Sequence, residues 1–222
     1  MQIILTGANR GIGAEMTAQM RARGDEVRAT SRDGSTGVTL DVTDTRQIEH
    51  LGASHEGPLD LLVCNAGVYL DKGHDLSTGY DPELWAQTFA VNVTGVFLTI
   101  KALLPALEQS KAPKIAILAS QMGSSERAGG NAFIYRASKA ALNMVLKTLS
   151  IEFGRRFKET VIIGLHPGTV DTDLSKPFQG NVPEGKLFTP EFSSGKLLSV
   201  IDQVRPEDSG LLFAWDGEKV PF

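Results

Sequence analysis

The sequence predicts an α/β fold, with a single doubly wound parallel sheet covered by helices on both faces. Near-continuous apolar runs at 114–119 and 160–165 are typical of parallel strands buried on both faces. Amphipathic stretches alternate with such runs, which implies right-handed crossovers. A glycine-rich loop joins the first strand to the first helix. The chain of 222 residues is expected to form one domain over 1–222, because folds of this class often reach that length.

The individual elements follow from hydrophobic periodicity and from turn residues. The predicted strands are 2–5, 27–30, 38–40, 59–64, 114–119, 160–165 and 211–214. The predicted helices are 12–23, 44–51, 82–109, 132–157 and 190–203. Ligands of such sheets bind beyond the carboxyl ends of the strands, so functional residues are expected in the loops at that edge.

The loop at 6–13 has the spacing Gly-x-x-x-Gly-x-Gly, formed by Gly7, Gly11 and Gly13. Glycines let a ligand approach the backbone, and the following helix begins with unpaired N–H groups. A strand, a glycine turn and a helix start in this order predict a phosphate-binding site.

Tyr135 and Lys139 are four residues apart in a predicted helix, so their side chains share one face. A nearby cation favours the charged form of a phenol and is expected to lower the pKa of Tyr135 from its ordinary value near ~10. The pair is therefore predicted to exchange a proton with a substrate oxygen.

Composition favours a cytoplasmic globular protein. A net charge of −4, a pI near 5.6 and the lack of a basic run argue against a nucleic-acid partner. No apolar stretch is expected to span a membrane, and the first strand leaves no room for a signal peptide. Cys64 is the only cysteine, which excludes an internal disulfide, and the four histidines lack ligand spacing, so no metal is expected.

Seven motifs follow one another, each at an expected strand end or helix. They are 6–13, Asp41-Val42, Asn65-Ala66-Gly67, Asn92, Ser120, Tyr135 with Lys139, and Pro167-Gly168. In this order they resemble the short-chain dehydrogenase/reductase family, and residues 213–222 resemble its C-factor-like branch. The resemblance implies a Rossmann-like fold, an NAD(P)-dependent oxidoreductase with a small carbonyl or alcohol substrate, and a homodimer or homotetramer.

The resemblance also implies catalytic roles. Tyr135 would protonate the carbonyl oxygen, while Lys139 would lower the pKa of the phenol and hold the nicotinamide ribose. Ser120 would hydrogen-bond the substrate oxygen, although Ser124 and Ser125 in the next loop are less favoured rivals. Asn92 would anchor a water that links the lysine to solvent.

The residues after the second strand favour NADP(H), although NAD(H) is possible. Arg32 and Arg10 suit a 2′-phosphate, whereas Asp33 would favour NAD if it faced the ribose. The implied cofactor-binding residues are Gly7, Asn9, Arg10, Gly11, Ile12, Gly13, Ser31, Arg32, Asp41, Val42, Asn65, Ala66, Gly67, Tyr135, Lys139, Pro167, Gly168, Val170 and Thr172.

The segment 169–188 is rich in glycine and proline and is predicted to be a lid over the nicotinamide and substrate. The candidate walls of an apolar substrate pocket, each of which could instead be an ordinary core residue, are Phe178, Leu187, Phe188, Tyr69 and Met122.

Two other functions stay open. An NAD(P)-binding regulatory or signalling protein of the C-factor-like type would show little turnover. A sugar-nucleotide epimerase or dehydratase would need an added substrate domain, for which the chain has no length.

Overall fold

A computed structural model describes residues 1–222, except for the side chain of residue 181. The strands are β1 Gln2–Thr6, β2 Glu26–Ser31, β3 Val38–Thr39, β4 Leu61–Cys64, β5 Lys114–Leu118, β6 Val161–His166, β7 Thr169–Val170, β8 Leu187–Phe188, β9 Leu212–Ala214 and β10 Lys219–Val220. The α-helices are α1 Gly11–Ala22, α2 Thr45–Ala53, α3 Pro82–Phe89, α4 Val96–Leu107, α5 Phe133–Arg156 and α6 Pro190–Gln203.

The main sheet has eight strands in the order β10-β9-β6-β5-β4-β1-β2-β3. All its pairings are parallel except that of β10, which is antiparallel to β9. The order reverses between β1 and β4, because the chain first builds outward to β3 and then crosses back to β4. A crevice opens at such a reversal, beyond the carboxyl ends of the strands.

Each face of the sheet carries its own hydrophobic core. Ile4 and Leu62 belong to the core under α2, α4 and α5, whereas Ile3 and Leu61 belong to the core under α1 and α6. Neighbours in a strand point to opposite faces, so a run without polar residues places apolar side chains in both cores. The observed sheet therefore confirms the predicted fold class.

The structure adds three short strands that the sequence analysis did not predict. β7 and β8 pair in a separate two-stranded sheet, which joins the two ends of the predicted lid 169–188. β10 follows a turn at Gly217 and closes the sheet edge beside β9. Strands of two residues are too short to show the alternation on which sequence-based assignment depends.

The helix predicted over 82–109 is interrupted. A π-helical segment, Ala90–Gly95, separates α3 from α4, and Asn92 lies within it. Taken together, Pro82–Leu107 is long and apolar enough to cross a membrane, which corrects the expectation that no stretch reaches that length. Close to half of the apolar window is buried inside the fold, as in a core helix.

Candidate active site

A cleft of about 550 Å³ opens at the crevice between β1 and β4. Most of the predicted nucleotide-binding residues line it. They are Gly7, Asn9, Arg10, Gly11, Ile12, Gly13, Arg32, Asp41, Val42, Asn65, Ala66, Gly67, Tyr135, Lys139, Pro167 and Thr172. The topology thus brings together motifs that are spread over the sequence from the first strand to the sixth.

The glycine loop is held open by conformation and by close packing. Gly7 and Gly11 have φ of 70° and 54°, in the left-handed region that favours glycine. A Cβ on Gly13 would collide with the carbonyl oxygen of Gly7. The side-chain amide of Asn65 donates hydrogen bonds to the carbonyls of Thr6 and Gly7, at 3.0 and 2.7 Å. These contacts fix the loop at the start of α1.

Tyr135 and Lys139 meet at the edge of the cleft. Both side chains are buried, and the Lys139 ammonium lies 5.7 Å from the centre of the Tyr135 ring. Lys139 Nζ donates a hydrogen bond of 2.7 Å to the carbonyl oxygen of Leu118, at the end of β5. The strand end therefore positions the lysine.

Burial controls the proton affinity of both groups. Burial raises the pKa of Tyr135 to about 12, with a hydrogen bond to Ser120 acting in the opposite direction. Burial lowers the pKa of Lys139 to about 8. The sequence predicts that the cation lowers the pKa of the phenol. The structure differs because removal from water disfavours the phenolate more than the hydrogen bond to Ser120 favours it.

Asn92 connects the lysine helix to the chain after β4. Its carboxamide accepts a hydrogen bond from the backbone N–H of Val68 and donates one to the Val68 carbonyl, both at 2.9 Å. The same nitrogen donates to Ser138 Oγ at 3.1 Å, and Ser138 donates to the Tyr135 carbonyl at 2.8 Å. A π-helical segment often occurs at a functional site, and here it places an amide between two elements.

Ser120 follows β5 and has two contacts. Its hydroxyl accepts a 3.1 Å hydrogen bond from the N–H of Met122, and it also meets the phenol of Tyr135. The second contact supports the predicted role beside the tyrosine. Of its rivals, Ser125 donates a hydrogen bond to the carbonyl of Phe222, which ties the loop to the end of the chain.

Asp71 is a residue of the site that the sequence does not reveal. This buried carboxylate accepts hydrogen bonds from the backbone N–H groups of Ile134 and Tyr135, at 2.9 and 3.3 Å. Helix α5 starts after Ala132, whose methyl side chain cannot cap it, so Asp71 serves as the cap from another loop. Its distance in sequence, 63 residues from Ile134, leaves no local signal.

The other end of the cleft carries opposite charges. Arg10 lies 3.4 Å from Asp173 of the predicted lid. Hydrogen bonds from Ser31, Ser35 and Asn9 hold the pKa of Asp33 well below its ordinary range. This end therefore offers cations for a phosphate and a fixed carboxylate for a hydroxyl.

Three predicted cofactor residues lie outside the residues that line the cleft. Ser31 is buried, and its hydroxyl accepts a 3.1 Å hydrogen bond from Thr36. Val170 is buried in β7, and Gly168 has a φ of 77° beside the ring of Phe188.

The cleft fits a dinucleotide. Its volume lies within the range of small-molecule sites, and three glycines of the cradle, Gly7, Gly11 and Gly13, line it. The cradle opens onto the start of α1, where unpaired N–H groups suit a pyrophosphate. Fold and cleft together define a dinucleotide-binding α/β protein.

Comparison with known proteins identifies the family. The sequence model of the short chain dehydrogenase family matches residues 1–182. The C-signal protein of Myxococcus xanthus is 38% identical over 168 residues, which cover 75% of this chain and 94% of that protein. A 1-hydroxy-2-glutathionyl-2-methyl-3-butene dehydrogenase from Rhodococcus sp. (strain AD45) is 34% identical over 229 residues, which cover 97% of this chain and 96% of that one.

A solved structure of NADPH-bound carbonyl reductase from chicken fatty liver superimposes with a TM-score of 0.88 at 26% identity, covering 100% of this chain and 98% of that one. The chain therefore belongs to the short-chain dehydrogenase/reductase family of NAD(P)-dependent oxidoreductases. The similarity to C-signal confirms the predicted branch.

Proposed function

We propose that the protein is an NADPH-dependent oxidoreductase that transfers a hydride between the nicotinamide and a small carbonyl or alcohol substrate. The observation that carries this proposal is the buried pair Tyr135 and Lys139 at the edge of a dinucleotide-sized cleft. A phenol and an ammonium placed together there supply a proton donor and a fixed charge.

The preference for NADPH is supported by Arg10 and Arg32, which both line the cleft. Guanidinium groups match the geometry of a 2′-phosphate, and the chicken carbonyl reductase is NADPH-bound. Asp33 opposes this preference, because its carboxylate lines the same end of the cleft. NAD(H) would therefore bind more weakly rather than not at all.

In the proposed mechanism, Tyr135 is the general acid. When bound, NADPH supplies the hydride that reduces the carbonyl carbon. Tyr135 donates its phenolic proton to the carbonyl oxygen, and Ser120 donates a hydrogen bond to that same oxygen. The raised pKa of Tyr135 keeps its proton in place until the oxygen gains negative charge.

In this proposal Lys139 and Asn92 restore the proton that Tyr135 gives up. Lys139 holds the ribose and returns a proton to the phenol after each turnover, for which a pKa of about 8 is suitable. The Asn92 amide, fixed by Val68 and Ser138, anchors the water that connects Lys139 to solvent. The segment 169–188 acts as a lid, and the pairing of β7 with β8 gives it a fixed base.

One observation favours a second function. The relative named C-signal suggests an NAD(P)-binding signalling protein with little turnover. The two functions differ in whether Tyr135 matters for NADPH oxidation. We would assay NADPH consumption against a panel of aldehydes, ketones and quinones, with Tyr135→Phe as the matched control. Consumption by the natural sequence but not by the variant supports the reductase. No consumption above background by either protein, with cofactor binding intact, favours the signalling role.

A homodimer or homotetramer is part of the proposal, as is a cytoplasmic location. Helices α4 and α5 expose large apolar side chains, namely Phe97, Met144 and Ile151. Pairing of these helices across a two-fold axis would bury such side chains, and two-fold dimers are the commonest assembly. Sedimentation at micromolar concentration tests this, since a purely monomeric species would contradict it.

A further inference from the structure

Three aromatic rings meet beside the proposed proton donor. The ring of Tyr69 packs edge-on against Tyr135, with centres 5.3 Å apart. Phe178, from the predicted lid, lies 4.6 Å from Tyr69 and 6.2 Å from Tyr135. We call these three residues the aromatic triad. It lies at the Tyr135 end of the nucleotide cleft, where the phenol must meet its substrate.

Phe178 is held in the triad by its own segment. The neighbouring Gln179 donates hydrogen bonds to Ser175 at 2.9 Å and to Asp171 at 3.0 Å. Ser175 is buried and in turn binds the backbone of Val170. The ring of Phe178 is only half-buried, so it can leave Tyr69 without opening either hydrophobic core of the sheet.

From this geometry we infer that the substrates are carbonyl compounds with a planar aromatic ring, which takes the place of Phe178 on Tyr69. The inference rests on the proposed function, since it places the carbonyl beside Tyr135. A substrate that reaches the phenol must displace the Phe178 ring. An aromatic ring regains the stacking that this displacement loses, whereas an aliphatic ring of similar size does not.

A matched pair of ketones tests the inference. Phenylacetone and cyclohexylacetone carry the same isolated carbonyl and differ only in the ring. The phenyl ring would pair with two rings, those of Tyr69 and Tyr135. Together these two aromatic contacts correspond to about a 10-fold preference in kcat/KM for phenylacetone. Tyr69→Leu removes one of these two contacts and is expected to lower the ratio to about 3-fold. Phe178→Leu is expected to keep the ratio and lower KM for both ketones.

Phe192→Leu is the control, because its ring belongs to a different cluster with Phe188 and Trp215. It should leave the ratio unchanged. Equal kcat/KM for the two ketones in the natural sequence would overturn the inference. An unchanged ratio in Tyr69→Leu would overturn it as well.

Binding separates this inference from the proposed function. Phenylacetamide and cyclohexylacetamide are unreactive analogues, and their dissociation constants can be measured by NMR titration with NADP⁺ present. Tighter binding of phenylacetamide that Tyr69→Leu reduces would support the aromatic site even if neither ketone were reduced. In that case only the reductase proposal would fail. Equal binding of the two amides would overturn the inference whatever the turnover.

Discussion

Replacement of Asp71 by alanine should destabilise the fold and misplace Tyr135, because this carboxylate caps the helix that carries the tyrosine. The substitution leaves two buried N–H groups, of Ile134 and Tyr135, without their acceptor. Hydrogen bonds to a charged group contribute about 1.5–3 kcal/mol each, and water entering the space recovers part of this. We expect a loss of about 3 kcal/mol in the free energy of unfolding.

Urea denaturation and thermal unfolding measure this loss. For a chain of this size, about 3 kcal/mol corresponds to a fall in Tm of roughly 6–12 °C. The control is Asp75→Ala in the same loop. Asp75 also accepts two backbone N–H bonds, from Ser77 and Thr78, but it is exposed. Its loss should stay below about 1 kcal/mol.

Activity provides the second measurement. Because Tyr135 is one of the two donors, a shifted helix start moves the phenol, and we expect kcat to fall about 10-fold. Asp71→Asn keeps one acceptor oxygen and should fall between alanine and the natural residue in both measurements. If Asp71→Ala were no more damaging than Asp75→Ala, Asp71 would not be the cap that positions the tyrosine.

Three further predictions concern the proposed mechanism and the buried histidine. Tyr135→Phe should reduce turnover by roughly 100-fold or more while NADPH still binds, and near-normal turnover on a chemistry-limited substrate would refute the acid role. Arg32→Ala should weaken NADPH binding by about 10- to 150-fold and leave NADH binding nearly unchanged, as measured by titration; equal losses would indicate general damage. Burial lowers the pKa of His166 from 6.5 to about 4. Between these two pH values the unfolded chain binds a proton at His166 that the folded chain does not bind. The free energy of unfolding therefore falls as the pH drops from 6.5 towards 4. His166→Gln should remove up to about 3 kcal/mol of this pH dependence in urea titrations from pH 7 to 4, whereas an unchanged slope would exclude His166 as its source.

Much of the fold and part of the site could be read from the sequence, because they depend on local patterns. The glycine loop 6–13 and the four-residue spacing of Tyr135 and Lys139 are each visible in a short window. The strands buried on both faces appear as unbroken apolar runs. These features gave the α/β class, the position of the cleft and most of the residues that line it.

Contacts between distant residues could not be read in this way. Asp71 caps α5 from a loop far away in sequence, and nothing near either segment indicates the pairing. The sequence pattern predicts one continuous helix over 82–109 and does not reveal the π-helical segment Ala90–Gly95. Gly95 in that segment approaches the chain after β3, where a Cβ would meet the carbonyl oxygen of Val42 at 2.5 Å.

The pKa of Tyr135 also could not be predicted from a local sequence pattern, and it bears on the direction of the reaction. A spacing of four residues reveals the cation beside Tyr135 but not the depth at which both groups are buried. Burial raises the pKa of Tyr135 to about 12, so the phenol keeps its proton at neutral pH. The protein without ligands is therefore prepared to give a proton, as carbonyl reduction requires. Alcohol oxidation requires the same oxygen as a base. In that direction the phenol must be ionised, and burial disfavours the phenolate. Lys139, whose pKa of about 8 keeps it mostly charged at neutral pH, must therefore stabilise the phenolate with its positive charge.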